Sequence, residues 1–208
     1  MGAGVLVCGG GSTRFGDRDK VCADLAGRPL VRHVADRIEP VVDELIVNCR
    51  ADQADCLDAV FSGYSSPVRF ALDEIEDAGP MHGMEQGLAA TESEYAVVVA
   101  CDMPFVDPDF VAALFEIAAD HEAVLPRHGE GNWYQPLQAV YHADAMVASI
   151  RAAVADGVER PISPALDLDV VTIEGDRLRG LTDERTFFNV NTQADLERAE
   201  QLLETVEH

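Results

Sequence analysis

Lysine is nearly absent from this sequence: 208 residues hold fourteen arginines and one lysine, Lys20. Basic residues total 15 against 38 Asp and Glu, a formal net charge of −23. A surface so short of cations repels polyanions, which excludes a polynucleotide partner. The acids are spread along the chain rather than gathered in a tail. They therefore repel one another, and concentrated salt screens that repulsion over a short range. The composition predicts a halophilic, salt-adapted protein.

Other absences narrow the class. No apolar run reaches about 18 residues, so no membrane span is expected. The N-terminus lacks a basic segment followed by an apolar stretch, so no secretory signal is expected and the cytoplasm is the predicted location. Repeats, low-complexity stretches and linkers are missing, and the length suits a single domain over residues 1–208. The cysteines number five, an odd count without a C-x-x-C pair, which predicts neither a disulfide framework nor a zinc site. Cys8 and Cys101 lie inside apolar runs and read as small buried hydrophobes. Six histidines are scattered without ligand spacing, and no Ser-His-Asp or Cys-His arrangement suggests covalent catalysis.

What is present alternates strands with helices. Val5–Cys8, Leu45-Ile46-Val47 and Val68–Leu72 read as strands, and Tyr95–Cys101 is a continuous apolar run suited to a strand buried on both faces. Ala123–Leu125, Leu137–Tyr141 and Val170–Ile173 add shorter ones. Pro29 opens a predicted helix with Leu30, Val31, Val34 and Ile38 at helical spacing. Met84–Ala90 reads as helical. Asp107-Pro108 supplies a cap and first-turn proline for a helix whose apolar face is Val111, Leu114, Phe115 and Ala118. Ala143–Ala155 is another. Thr192 and Asp195 form a possible capping box before a last helix carrying Leu196, Ala199, Leu202 and Leu203. This alternation predicts an α/β fold with a mostly parallel sheet covered on both sides. Ligands in such sheets bind at the carboxyl ends of the strands, here near Gly9, Asp73 and Asp102.

The first strand runs into Gly9-Gly10-Gly11-Ser12-Thr13-Arg14-Phe15-Gly16-Asp17-Arg18-Asp19-Lys20. A P-loop fails because Asp17 stands where its lysine belongs, and a Rossmann fingerprint fails because Arg14 stands at its third glycine. The segment still suits a polyphosphate, since glycines let backbone N–H groups turn inward while Arg14 and Lys20 add positive charge. In a chain that uses arginine everywhere else, its one lysine implies a pocket that needs a compact ammonium rather than a wide guanidinium.

This loop resembles the L-A-G-G-x-x-x-R-M-G-x-x-D-K segment of the molybdenum-cofactor guanylyltransferase family. Further matches follow in order: Gly79-Pro80-Met81-His82-Gly83 is similar to G-P-L-A-G, Cys101-Asp102-Met103-Pro104 to C-D-x-P, and Phe188-Asn189-Val190-Asn191-Thr192 to N-V-N-T. Gln135-Pro136-Leu137 with Val140-Tyr141 resembles a later strand. Phe15 replaces a methionine and Met81-His82 a Leu-Ala pair. His82 reads either as a contact near the nucleotide or as a solvent-facing loop residue.

The resemblance implies a single Rossmann-like three-layer α/β/α nucleotidyltransferase domain. It implies transfer of GMP from GTP to the terminal phosphate of molybdopterin, with release of pyrophosphate. Arg14, Lys20 and Asp102 would be catalytic. Val7, Cys8, Gly9, Gly10, Asn48, Asp73, Gly79 and Pro80 would line the nucleotide site with Lys20 and Asp102. Asp102 would hold Mg²⁺, which prefers carboxylate and phosphate oxygens. Asp73 lies in an acidic run, where a solvated charge is the lesser alternative to a nucleotide contact. Asn189 and Asn191 would face the acceptor or serve as strand-end and cap residues. Beyond GTP and molybdopterin, cofactor-accepting apoenzymes or their chaperones are the partners implied. A relative with another acceptor or base, and a non-catalytic nucleotide-binding module, remain as alternative readings.

Overall fold

The computed structural model describes residues 2–9, 20–73, 79–129, 131 and 133–206. In chain order the elements are β1 (Gly2–Val7), a short hairpin of β2 (Asp24–Leu25) and β3 (Arg28–Pro29), α1 (Leu30–Ile38), β4 (Val42–Cys49), α2 (Ala54–Phe61), β5 (Val68–Leu72) and α3 (Pro80–Ala89). There follow β6 (Tyr95–Ala100), α4 (Pro108–Ala118), β7 (Ala123–His128), β8 (Trp133–Tyr134), β9 (Gln138–His142), α5 (Ala143–Ala155), α6 (Ile162–Leu166), β10 (Val170–Ile173), α7 (Gly175–Arg179) and α8 (Gln193–Val206).

The main sheet has the order β10-β7-β9-β6-β1-β4-β5, with β8 hydrogen-bonded to β7. The pairs β1/β4, β1/β6, β4/β5 and β10/β7 are parallel, while β9 runs antiparallel to both its neighbours. The predicted mostly parallel sheet is therefore observed, with β9 reversed within it and β8 antiparallel to β7 beside it.

Side chains leave a strand alternately to its two faces, and the two cores follow that rule. Leu6, Leu45, Val47, Val97 and Val99 point to one face, where Val31 and Val34 of α1, Leu57 of α2 and Phe110, Val111 and Leu114 of α4 cover them. Val5, Val7, Ile46, Ala96 and Val98 point to the other, beneath Met84 and Leu88 of α3 and Met146 and Ile150 of α5. β1 and β6 are apolar at every position because helices cover both faces. A smaller cluster joins α8, through Leu196 and Ala199, to Leu25, Leu30 and Phe105.

Several local expectations change. α3 begins at Pro80, a turn before Met84, with Gly79 at φ +81° ahead of it, a conformation that favours glycine. Pro29 opens α1 as expected, standing at its N-cap, and also ends β3. Thr192 and Asp195 do form the reciprocal cap, since the Asp195 carboxylate accepts from the Thr192 N–H and Asp195 N–H donates to the Thr192 hydroxyl.

The cysteines also differ from expectation. Cys22 and Cys56 are disulfide-bonded, with Cα atoms 6.8 Å apart. An odd count does not preclude one bridge, and 34 residues of separation hid this one from a local reading. Cys8 and Cys101 are buried as expected, and so is Cys49.

Candidate functional site

β1, β4, β5 and β6 are mutually parallel, so their carboxyl ends share one edge of the sheet. Gly9, Asn48, Asp73 and Asp102 all lie there. Parallel strands bring them together although they are far apart in sequence.

At the β6 end, Lys20 Nζ lies 2.5 Å from Asp102 Oδ2 and 2.9 Å from Asn191 Oδ1. The backbone fixes this junction: Val190 N–H donates to the Asp102 carbonyl at 2.9 Å. Asn191 is in turn held by the α8 cap, because its N–H donates to Asp195 Oδ2. Asn189 is half-buried and donates from Nδ2 to the Phe187 carbonyl. Val190 between them is buried, and Asn191 is exposed.

The Lys20 and Asp102 side chains are only 12% and 17% exposed. Drawing a charge pair this far out of water costs nearly as much as its attraction returns, so such pairs argue weakly for stability. Asp102 Oδ1 is buried and has no hydrogen-bond partner among the described residues. An unsatisfied buried acceptor costs on the order of 1–3 kcal/mol, and more when charged. A hard cation offers what that oxygen lacks. Among the described residues no cluster of three or more His, Cys, Asp or Glu could hold a metal. One carboxylate completed by phosphate oxygens is a normal arrangement for Mg²⁺, so the residues fit.

The second half of the site is built on Asn48. Its amide donates to Asp73 Oδ1 at 2.6 Å and to the Ala71 carbonyl at 3.2 Å. A Cβ on Gly9 would stand 2.1 Å from Asp73 Oδ2, and one on Gly83 would stand 2.3 Å from Asn48 Oδ1. Two glycines thus leave the volume that Asn48 and Asp73 occupy, and Gly83 brings the first turn of α3, with Gly79 and Pro80, over the ends of β1 and β4. Asn48 itself has no exposed surface. Its reach toward a ligand runs through Asp73, which is half-buried.

Val7 and Cys8 are buried and keep their backbone groups in the sheet: the Val7 carbonyl accepts from Cys101 N–H, and Cys8 N–H donates to the Asn48 carbonyl. Gln53, which the sequence reading passed over, donates from Nε2 to the Cys8 carbonyl at 3.2 Å and braces the same strand end. Burial, with Asp73 nearby, pushes the Cys49 thiol up to about 11, so it stays protonated and is no nucleophile. Gly10 and Arg14 lie outside the described residues. His82 is not a loop residue: it sits in α3 with its side chain 16% exposed, 3.7 Å from Glu85.

A parallel α/β edge bearing a lysine, an under-coordinated aspartate and a glycine-lined strand end defines a phosphate-handling, nucleotide-binding protein. Comparison with known proteins agrees. The profile of the MobA-like NTP transferase domain matches residues 4–169. A protein of Natronomonas pharaonis named "Probable molybdenum cofactor guanylyltransferase" is 46% identical over 200 residues, 96% of this chain and 97% of the relative. A molybdenum cofactor guanylyltransferase of Yersinia pestis is 30% identical over 201 residues, 95% of this chain and 94% of that one. The solved structure of molybdopterin-guanine dinucleotide biosynthesis protein A from Archaeoglobus fulgidus superposes with a TM-score of 0.78 at 30% identity, covering 99% of this chain and 100% of that one. The 4-diphosphocytidyl-2C-methyl-D-erythritol synthase of Anaerococcus prevotii shares the fold, with a TM-score of 0.75 at 14% identity over 98% and 99% of the chains. This chain belongs to the molybdenum cofactor guanylyltransferase family of MobA-like nucleotidyltransferases.

Proposed function

We propose that this chain transfers GMP from GTP to the terminal phosphate of molybdopterin. A phosphate oxygen of the acceptor bonds to the α-phosphorus of GTP, the bond from that phosphorus to the bridging oxygen breaks, and pyrophosphate leaves. The nucleophile is already an anion, so no strong general base is needed. The work left to the protein is positioning and charge neutralisation.

The observation that carries this reading is the convergence of Lys20, Asp102 and Asn191 at the carboxyl end of β6. Lys20 supplies an ammonium to the triphosphate, together with Arg14 and the backbone N–H groups around Gly9 and Gly10. Asp102 is the residue to hold Mg²⁺ through its unsatisfied oxygen; when bound, that ion draws charge from phosphate oxygens. Asp73, fixed by Asn48, faces the nucleoside beside Val7, Cys8, Gly79 and Pro80. Asn189 and Asn191 face the acceptor.

The acidic composition supports a protein working at high salt. None of the described helices is long and apolar enough to cross a membrane, which is compatible with the cytoplasmic reading. We assign residues 1–208 to a single domain. The experiment is an acceptor screen that follows pyrophosphate release from GTP. Release with molybdopterin supports the reading, and release only with other phosphorylated acceptors overturns it.

A further inference from the structure

A cavity of about 410 Å³ lies at the flank of the sheet, lined in part by Arg127, His128, Arg179, Asp183, Glu184 and Phe187. No residue placed in the site above lines it. Strand register fixes its position. Val97 of β6 and Val124 of β7 both pair with Val140 of β9, and β7 runs in the same direction as β6. His128 ends β7 and Asp102 follows the end of β6, so the two lie at the same edge of the sheet. The cavity therefore opens on the Asp102 edge, on the side away from β4 and β5, where Asn48 and Asp73 stand.

Its chemistry is that of a ring site. The His128 imidazole lies flat on Phe187, with centroids 4.6 Å apart and planes 19° apart. Phe187 is held edge-on by Phe110 of the core, so the stack is braced. Trp133 pairs with His128 between β8 and β7, which puts the two side chains on one face, and its indole is 73% exposed. Flat rings stack favourably on such surfaces. The rim offers cations, Arg127 and Arg179, and carboxylates, Asp183 and Glu184, which suits a heterocycle whose edge both donates and accepts. Phe187 also leads directly into Asn189 and Asn191, joining the cavity to the Asp102 junction.

We infer that this cavity holds the fused heteroaromatic ring of the acceptor, the pterin, while the acceptor's phosphate reaches Asp102. The inference rests on the function proposed above and assigns its acceptor subsite to His128, Phe187 and Trp133. His128 is the specificity residue.

Trp133 is the sole tryptophan, so it reports on its own neighbourhood. Titration with neopterin, a pterin lacking the phosphate arm, should quench its fluorescence in the wild type and not in His128→Ala. In steady state, His128→Ala should raise KM for molybdopterin about tenfold while KM for GTP holds, and His128→Phe should restore most of the loss. Circular dichroism establishes that both variants fold. An unchanged molybdopterin KM, a rise in GTP KM instead, or wild-type fluorescence insensitive to neopterin overturns the inference. Failure of the wild type to turn over molybdopterin at all would instead remove the functional reading on which it stands.

Discussion

Lys20 and Asp102, 82 positions apart in sequence, are joined at 2.5 Å, and the second oxygen of that carboxylate has no partner among the described residues. A pair held this far from water argues weakly for stability, and the proposed function gives it a role in turnover. Asp102→Asn should keep the fold and lose at least about 10²-fold in metal-dependent turnover, the usual scale for a lost electrostatic contact at a reacting phosphate. Lys20→Ala should fall similarly, and Lys20→Arg should recover only part, since a guanidinium fork does not replace a point charge. Steady-state rates over a Mg²⁺ titration, with melting curves alongside, decide it. Wild-type rates in Asp102→Asn remove it from the metal role.

The two glycines around Asn48 give a second test. Gly83→Ala places a methyl group 2.3 Å from Asn48 Oδ1 and 3.2 Å from Val7 Cγ1. Overpacking of this kind costs about 1–3 kcal/mol. The variant should melt several degrees lower and show a raised KM for GTP, because Asn48 carries Asp73. A GTP KM that stays put while the melting temperature drops would separate Asp73 from the nucleotide.

The Cys22–Cys56 bridge closes a loop that includes α1, β4 and the start of α2. By the chain-entropy argument such a loop contributes on the order of 3–4 kcal/mol. Reductant should lower the melting temperature of the wild type and leave Cys56→Ser unaffected. Thiol titration of denatured, unreduced protein should return three thiols rather than five. Five would mean that the pair is reduced where the protein is made, as is usual for cytosolic chains.

The fold was legible where helices cover both sheet faces, because Tyr95–Ala100 then reads as unbroken apolar sequence. It was less legible where little is buried: α2 exposes half of its positions and buries only Leu57 and Phe61, too sparse a pattern to read. The reversed direction of β9 has no sequence signature, since the short apolar run Ala139–Tyr141 reads the same in either direction. In the site, the place of Asp102 at the end of β6 followed from the apolar run before it, while the glycine loop beyond Gly9 lies outside the described residues. That Asn48 would be sealed beneath Asp73, and that Gly83 exists to admit it, depends on the distance between β4 and α3. That distance is a property of the packed molecule.

Salt should stabilise this protein. The net charge of −23 repels itself at low ionic strength, and added ions screen it. Melting curves in low and molar KCl should show a clear rise. A flat or falling trend would refute the halophilic reading.

GTP should be preferred to CTP. The strand ends Cys8-Gly9-Gly10, similar to the A-G-G of guanylyl-transferring relatives rather than the A-A-G of cytidylyl-transferring ones. The structure requires glycine at position 9, since a Cβ there would strike Asp73. Specificity constants for GTP, CTP and ATP with molybdopterin test it, and equal or better use of CTP would reassign the base.

The chain's solitary ammonium side chain, tucked against Asp102, has a practical consequence. Amine-directed reagents meet only two targets here, the chain's α-amino group and Lys20, and the second is 12% exposed and engaged by two oxygens. Labelling stoichiometry on this protein is therefore an occupancy gauge for the proposed phosphate site. Whatever displaces Lys20 from its carboxylate, or shields it, registers as a change in the reactivity of one identified nitrogen, without mutation and without turnover.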